Sequence, residues 1–218
     1  MRPYSLEQLL TQTRTALVLI DVQNEFCHDD GVFGKRGLDM SLIEKMMSHL
    51  VPLVDAARSN DVPVIFVQNV EDESTDSCAW SMRPDAEEEH INEGVCRRGT
   101  WGTEFYRFEP TEKDIVVEKH RFSAFVDTGL QDVLTKFEIE TLIFTGVATN
   151  ICVETSARHA VMLDYHVILA EDACATWFPD LHETTKKNIG LWFGKVAKAD
   201  EIINIWVAQE TPLTIITS

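Results

Sequence analysis

Three residues far apart in the chain, Asp21, Lys119 and Cys152, are the types that covalent carbonyl chemistry requires. A free thiol with a pKa of roughly 8.5 is only a few per cent ionised at neutral pH, so a nucleophilic cysteine needs help. Cys152 lies in "TGVATNICVET", where a turn should open a helix. Backbone N–H groups at such an end favour negative charge and can hold a developing oxyanion. An ammonium at Lys119 would favour the thiolate further. Asp21 can take the thiol proton and return it to a leaving amine. Apolar strand neighbours should raise its pKa, and Lys119 should lower it. Taken singly, each residue has a blander role. A cysteine near a helix start is often buried filler, an Asp after an apolar strand is often a cap or turn former, and a Lys at a strand tip is usually solvated. Only a shared location makes them a site.

The elements that must position them read as follows. Ala16–Asp21, Val62–Gln68, Asp114–Val117, Thr141–Phe144 and His166–Ala170 are short apolar runs, with a weaker one at Lys195–Lys198. Continuous Val/Ile/Leu runs predict strands buried on both faces, as in a parallel sheet. Ser41–Ser59, Thr128–Phe137, Asn150–Leu163 and Leu181–Trp192 have helical spacing. Alternation of the two predicts an α/β fold: a three-layer α-β-α sandwich, one domain over residues 1–218, with six strands in a mostly parallel, doubly wound sheet. In such sheets ligands bind beyond the carboxyl ends of the strands, and all three residues lie there. Gln23, Phe26, Arg121 and Trp177 also follow strand ends and are candidates to touch substrate. Arg121 suits a substrate carboxylate, because bidentate guanidinium contacts fit that group; a structural ion pair is the alternative. Glu71–Phe108 has no clean period. A segment this long is a lid, a binding loop, a subunit contact or a solvated insertion, with a short helix around Asp85–His90. Its Trp101 and Phe105 would close the pocket or form a subunit contact.

Composition narrows the function classes. The chain has 218 residues, 44% of them hydrophobic, enough for one sizeable core. Its formal charge is −17, which argues against nucleic acid or an anionic membrane surface as partner. No apolar run reaches the roughly 18 residues of a membrane span. The first residues do not read as a secretory signal, because Glu7 interrupts any apolar core; they read as a short surface helix. Five widely spaced cysteines, an odd number, point to free thiols in a reducing, cytoplasmic setting. No pair has CxxC spacing for structural zinc.

Other constellations are weaker. His159 lies seven positions beyond Cys152 on one helix, roughly 10 Å away at 1.5 Å per residue, so it is rejected as a base. The remaining histidines are candidates only through space. "CHDDG" at Cys27–Gly31 reads as an acidic turn rather than a metal site. There is no GxGxxG, P-loop or GxSxG, so nicotinamide, ATP and serine-hydrolase readings lack motif support, and no cofactor or metal is expected.

With these positions in view the sequence resembles the isochorismatase-like cysteine hydrolase family from about Thr15 to Ile203. "ALVLIDVQNEF" carries the acid Asp21 and the frequent glutamine Gln23. "VVEKHRFSAFVDTGLQDVL" carries Lys119, and "LIFTGVATNICVETSARHAVMLDYHVILAEDACAT" carries Cys152. The resemblance implies that the first and fourth strands lie side by side and that Val147–Ala148 is a cis peptide. It also implies an oxyanion hole from the Ala148 and Cys152 N–H groups, and a homo-oligomer acting on a small molecule. Isochorismatases proper commonly lack the cysteine. Nicotinamidases carry metal-binding histidines where this chain reads "FVQNVEDESTD". The wording is closest to the branch of ureidoacrylate, biuret and carbamoyl-amine amidohydrolases, which implies hydrolysis of a ureide or amide C–N bond. Vinyl-ether hydrolysis, a non-catalytic ligand-binding role and a redox-sensing thiol with Cys174 as resolving partner are the alternatives.

Overall fold

The computed structural model describes residues 3–81 and 95–210; the helix expected around Asp85–His90 lies outside the described residues. Six strands, β1 (Thr15–Ile20), β2 (Val64–Asn69), β3 (Ile115–Lys119), β4 (Thr141–Val147), β5 (His166–Ala175) and β6 (Lys195–Ala197), form one sheet in the order β3-β2-β1-β4-β5-β6. Every pairing is parallel. The described helices are α1 (Leu6–Gln12), α2 (Asn24–Cys27), α3 (Val32–Lys35), α4 (Ser41–Ser59), α5 (Cys78–Ser81), α6 (Leu130–Lys136), α7 (Glu154–Met162), α8 (Pro179–Asn188) and α9 (Ala199–Glu210). Single π turns at Thr149–Val153 and Ile189–Phe193 precede α7 and follow α8.

The central strand shows how sequence becomes layers. All six residues of β1 are buried, and successive side chains enter opposite cores. Leu17 and Leu19 pack with α1, α4 and α9. Ala16, Val18 and Ile20 pack with α6 and α7. Helix α4 has the residue range expected from its spacing and buries Ile43, Met46, Met47, Leu50, Leu53, Val54 and Ala57 along one stripe, each large side chain contributing about 1.5–3 kcal/mol. Helix α1 is more than a surface helix. Ser5 and Gln8 form a capping box, and Leu9 and Leu10 enter the core.

Four strands run further than the apolar runs suggest, β2 by one residue, β3 by two, β4 by three and β5 by five. In β4, Thr145 is buried because its hydroxyl donates to the Val18 carbonyl at 2.9 Å. In β5, the acid Asp172 is tolerated because its carboxylate accepts from the Ala199 N–H at 2.8 Å. The register of β4 against β5 shifts between Phe144 and Gly146. Gly146 has φ +100°, and a Cβ there would lie 2.1 Å from the Ile20 carbonyl oxygen, so glycine is required on both counts. Gly146→Ala should destabilise the fold by at least about 2 kcal/mol in urea denaturation. Unchanged stability would show that the β1–β4 approach is not tight.

Candidate active site

Crossovers leave β1 and β4 in opposite directions, so these neighbours frame a crevice at their carboxyl ends. Asp21 is the first residue after β1. Its N–H still pairs with Val67 O at 3.0 Å, but its φ is 52°. This left-handed conformation ends the strand, and Asp tolerates it better than most residues. Cys152 follows β4 inside the π turn. Lys119 is the last residue of β3, two strands from β1. Strands lie about 4.8 Å apart, so only a long side chain can cross β2 to reach the crevice.

The three side chains meet. Lys119 Nζ lies 2.8 Å from Asp21 Oδ2, 3.6 Å from Cys152 Sγ and 2.9 Å from the Arg121 carbonyl. Both ends of the ion pair are 1% exposed; Lys119 is therefore not the solvated charge that strand-tip lysines usually are. Burial pushes the Asp21 carboxyl up, against the opposing pull of Lys119. Burial alone would lower the Lys119 ammonium, but the Asp21 carboxylate and the contact with Cys152 more than reverse it and hold it high. The Cys152 thiol is driven well up by burial, with Lys119 opposing and Asp21 reinforcing. Burial thus outweighs the help that Lys119 gives the thiolate, and in the resting site the sulfur keeps its proton.

Surrounding residues hold this geometry. Ser156 Oγ donates to the Cys152 carbonyl at 2.7 Å and accepts from the Ala124 N–H at 2.9 Å, which ties the π turn to the segment after β3. Thr149, which opens that turn, contacts His182 Nδ1 at 3.0 Å through its hydroxyl. Glu154, at the start of α7, bonds Thr185 and Arg158. His159 Nδ1 bonds Ser123 Oγ at 2.8 Å, consistent with its rejection as a base. The Val147–Ala148 peptide is cis.

The four expected substrate contacts fare differently. Gln23 is fully buried. Its amide donates to the carbonyls of Asn69 and Thr103, both at 2.9 Å, and accepts from the Asn69 N–H at 2.7 Å. It pins the end of β2 to the long segment and has no free face for a ligand. Arg121 is likewise engaged by the protein: Nη1 donates to His120 O at 2.6 Å and Nη2 to Thr75 O at 3.0 Å. Its guanidinium carbon sits 4.7 Å from the Trp80 ring centroid. Gln23 therefore does not stand as a substrate contact, while the partners of Arg121 are two main-chain carbonyls and a ring, none of them an acid. Phe26 and Trp177 join one aromatic wall. Phe26 packs on Phe33 at 5.7 Å, and Phe33 stacks on Trp177 at 3.9 Å with 5° between planes. Trp177 is buried, and among the described residues its indole N–H has no partner.

Of the long segment, Phe105 turns inward against Phe66 at 5.2 Å and pairs by its backbone with Gln23. Trp101 stays exposed beside His28. The "CHDDG" stretch is a turn in which the Asp30 N–H bonds His28 Nδ1 at 3.0 Å. Among the described residues no group of three His, Cys, Asp or Glu is placed to hold a metal, and no helix is long and apolar enough to cross a membrane. None of the five cysteines is in a disulfide, and the Cys174 thiol donates to Phe144 O at 3.5 Å. A cavity of about 450 Å³ between α4 and α8 is lined by His49, Asp172, Thr176 and His182 but by none of the three catalytic candidates. Sequence reasoning missed Ser156 and the Thr149–His182 contact. The one available signal was a serine four residues after Cys152, a spacing at which hydroxyls bond back to the helix.

A thiol, a carboxylate and an ammonium buried together at the switch point of a parallel three-layer sheet define a protein of the cysteine-hydrolase type. The chain belongs to the isochorismatase family: the Isochorismatase domain matches residues 15–201, and the chain is an isochorismatase-like hydrolase. It is 31% identical over 217 residues to the ureidoacrylate amidohydrolase RutB of Agrobacterium fabrum, covering 94% of this chain and 95% of that protein. It is 32% identical over 203 residues to the ureidoacrylate amidohydrolase RutB of Methylobacterium radiotolerans, covering 86% and 78%. The crystal structure of a cysteine hydrolase from Pseudomonas syringae pv. phaseolicola superposes with a TM-score of 0.79 at 25% identity, covering 95% and 96%. The nicotinamidase PncA of Bacillus subtilis shares the fold, with a TM-score of 0.69 at 23% identity, covering 85% and 99%.

Two outcomes are expected. Lys119→Met leaves Asp21 buried without its countercharge and should cost about 3–5 kcal/mol in urea denaturation, and adding Asp21→Asn should restore most of it. A single variant as stable as the parent would show that the pair is not structurally important. Because the Cys152 thiol is held above the ordinary thiol range, its thiolate fraction grows only as pH rises through and beyond that range. Peptide-resolved alkylation of Cys152 by iodoacetamide should therefore climb steadily from pH 7 to 10. A plateau near neutrality would contradict the resting protonation assigned to the site.

Proposed function

We propose that the protein is a cysteine-dependent amidohydrolase that cleaves a C–N bond of a small ureide or amide through a thioester to Cys152, with no metal. The observation that carries this reading is the contact of one buried ammonium with both the carboxylate and the sulfur. Binding alone requires no thiol, and vinyl-ether hydrolysis requires no nucleophilic sulfur. The relatives named as ureidoacrylate amidohydrolases support the bond class.

The two perturbed groups complement each other. A thiol that resists ionisation and a carboxyl that readily takes a proton are matched for transfer at the moment of attack. Cys152 Sγ attacks the carbonyl carbon while its proton passes to Asp21, and Lys119 steadies the negative charge throughout. The Ala148 and Cys152 N–H groups receive the carbonyl oxygen as it becomes an oxyanion. Asp21 then gives its proton to the nitrogen as the C–N bond breaks, which releases ammonia or an amine and leaves a carbamoyl or acyl thioester. Water attacks that thioester, Asp21 takes its proton, the C–S bond breaks, and the sulfur is reprotonated from Asp21. Atoms balance as substrate plus water giving an acid or carbamate plus an amine.

Ammonia release across a panel of ureides, primary amides and N-carbamoyl amines tests this directly. At least one compound should be turned over, and Cys152→Ala should lower kcat on it by about 10³-fold or more. Full activity in that variant would overturn covalent catalysis. Activity should survive exhaustive chelation, and a loss restored by a divalent ion would overturn the metal-free reading.

A further inference from the structure

We infer that the cavity between α4 and α8 is an effector site: it binds a small zwitterion of amino-acid size, and through His182 the bound molecule acts on the turn that carries Cys152. The inference goes beyond the amidohydrolase reading and does not depend on which bond the enzyme breaks.

The sheet topology opens this cavity. Strand β6 is short, and its pairing with β5 stops at Ala170 and Ala197. Beyond that point β5 runs on to Ala175 with no strand on its outer side among the described residues. The gap lies between α4 and α8, and its volume of about 450 Å³ is in the range of small-molecule sites, roughly 300–1,000 Å³. Asp21, Lys119 and Cys152 all lie outside its lining, so it is separate from the reacting centre.

The lining selects the ligand. Its walls carry three lysines and four acids, so a lone anion or a lone cation meets repulsion on one wall as well as attraction on another. Lys186 is matched within the set by Glu171 and Glu183, at 2.6 and 2.8 Å. Asp172 accepts from the Ala199 N–H and lies 3.5 Å from His49 Nδ1. Among the described residues, Lys45, Lys198 and Asp200 have no ion-pair partner. One molecule carrying both a carboxylate and an ammonium answers both signs. Thr176, on the β5 wall, is 3% exposed, and its hydroxyl has no partner among the described residues. A buried hydroxyl left in that state costs stability, and a polar atom of a ligand relieves the cost.

His182 connects this cavity to the reacting centre. It lines the cavity, and its Nδ1 lies 3.0 Å from the hydroxyl of Thr149, the first residue of the π turn that holds Cys152. Burial holds the ring below the ordinary histidine range, so at neutral pH it meets a ligand as an uncharged hydrogen-bonding group. A ligand in contact with the ring alters its bond to Thr149, and with it the seating of the turn.

Calorimetry with the common amino acids tests the site. At least one should bind with a Kd below about 1 mM, and its des-amino acid and its decarboxylated amine should each bind at least about tenfold more weakly. Lys45→Gln, Asp200→Asn and Thr176→Val should each weaken that binding by about threefold or more. The first two side chains are exposed, and the third gives up a hydroxyl with no partner among the described residues, so the fold should be unharmed. No binding up to about 10 mM, equal binding of a singly charged analogue, or parent affinity in all three variants would overturn the site. Peptide-resolved alkylation of Cys152 by iodoacetamide tests the coupling and needs no turnover. The saturating amino acid should change the rate by at least about threefold. Thr149→Val, which leaves the cavity lining intact, should bind as the parent does and lose that response. An unchanged rate in the parent, or an undiminished response in Thr149→Val, would overturn the effector role.

Discussion

The buried ion pair between Lys119 and Asp21 is the constraint around which the rest of this structure is arranged. Removing either charge from water costs several kcal/mol, and the interaction is tolerable only with close geometry and satisfied partners. Here the separation is 2.8 Å and both side chains are almost wholly enclosed. The sheet makes this possible by setting the ends of β1, β2 and β3 in register, with Ile20 beside Val67 and Asn69 beside Lys119. The third member, the Cys152 sulfur, remains neutral at rest, so the cluster holds one positive and one negative charge. Attack transfers a proton within the cluster instead of creating a lone ion in a dry site.

Holding that cluster still is the task of neutral hydrogen bonds. Gln23 bonds main-chain groups of β2 and of the long segment, and so fixes the turn that follows Asp21. Ser156 joins the Cys152 turn to the segment leading away from Lys119. Thr149 and His182 brace the start of the same turn from α8. Each of these residues ties a strand end or the turn after it to a neighbouring segment through a group that carries no net charge, and so leaves the electrostatics of the centre to its three members. The crevice is thereby braced on the β1–β4 side.

Much of this was legible in the sequence because it depends on patterns that burial enforces locally. Apolar runs marked the strands, one apolar stripe gave α4 its two ends, and the residues after three of the strands named the reacting trio. Strand ends were less legible: Thr145 and Asp172 are polar residues whose partners, Val18 O and the Ala199 N–H, are distant in sequence. The same reason explains the substrate contacts. Gln23 and Arg121 were polar residues at strand tips, and only the fold shows that carbonyls of Asn69, Thr103 and Thr75 occupy them. The protonation of Cys152 was unreadable because it balances full burial against Lys119 and Asp21, and burial is a property of the whole packed molecule.

The central claim is that Cys152 forms a bond to the substrate's carbonyl carbon with Asp21 carrying the proton. Rapid-quench peptide mass spectrometry during turnover of the best substrate tests it most directly. The account predicts an adduct of the acyl or carbamoyl mass on the peptide containing Cys152, appearing within the first turnover and decaying by hydrolysis, and its near absence in Asp21→Asn. Sustained product formation with no adduct on that peptide at any quench time, together with unimpaired turnover by Asp21→Asn, would contradict it.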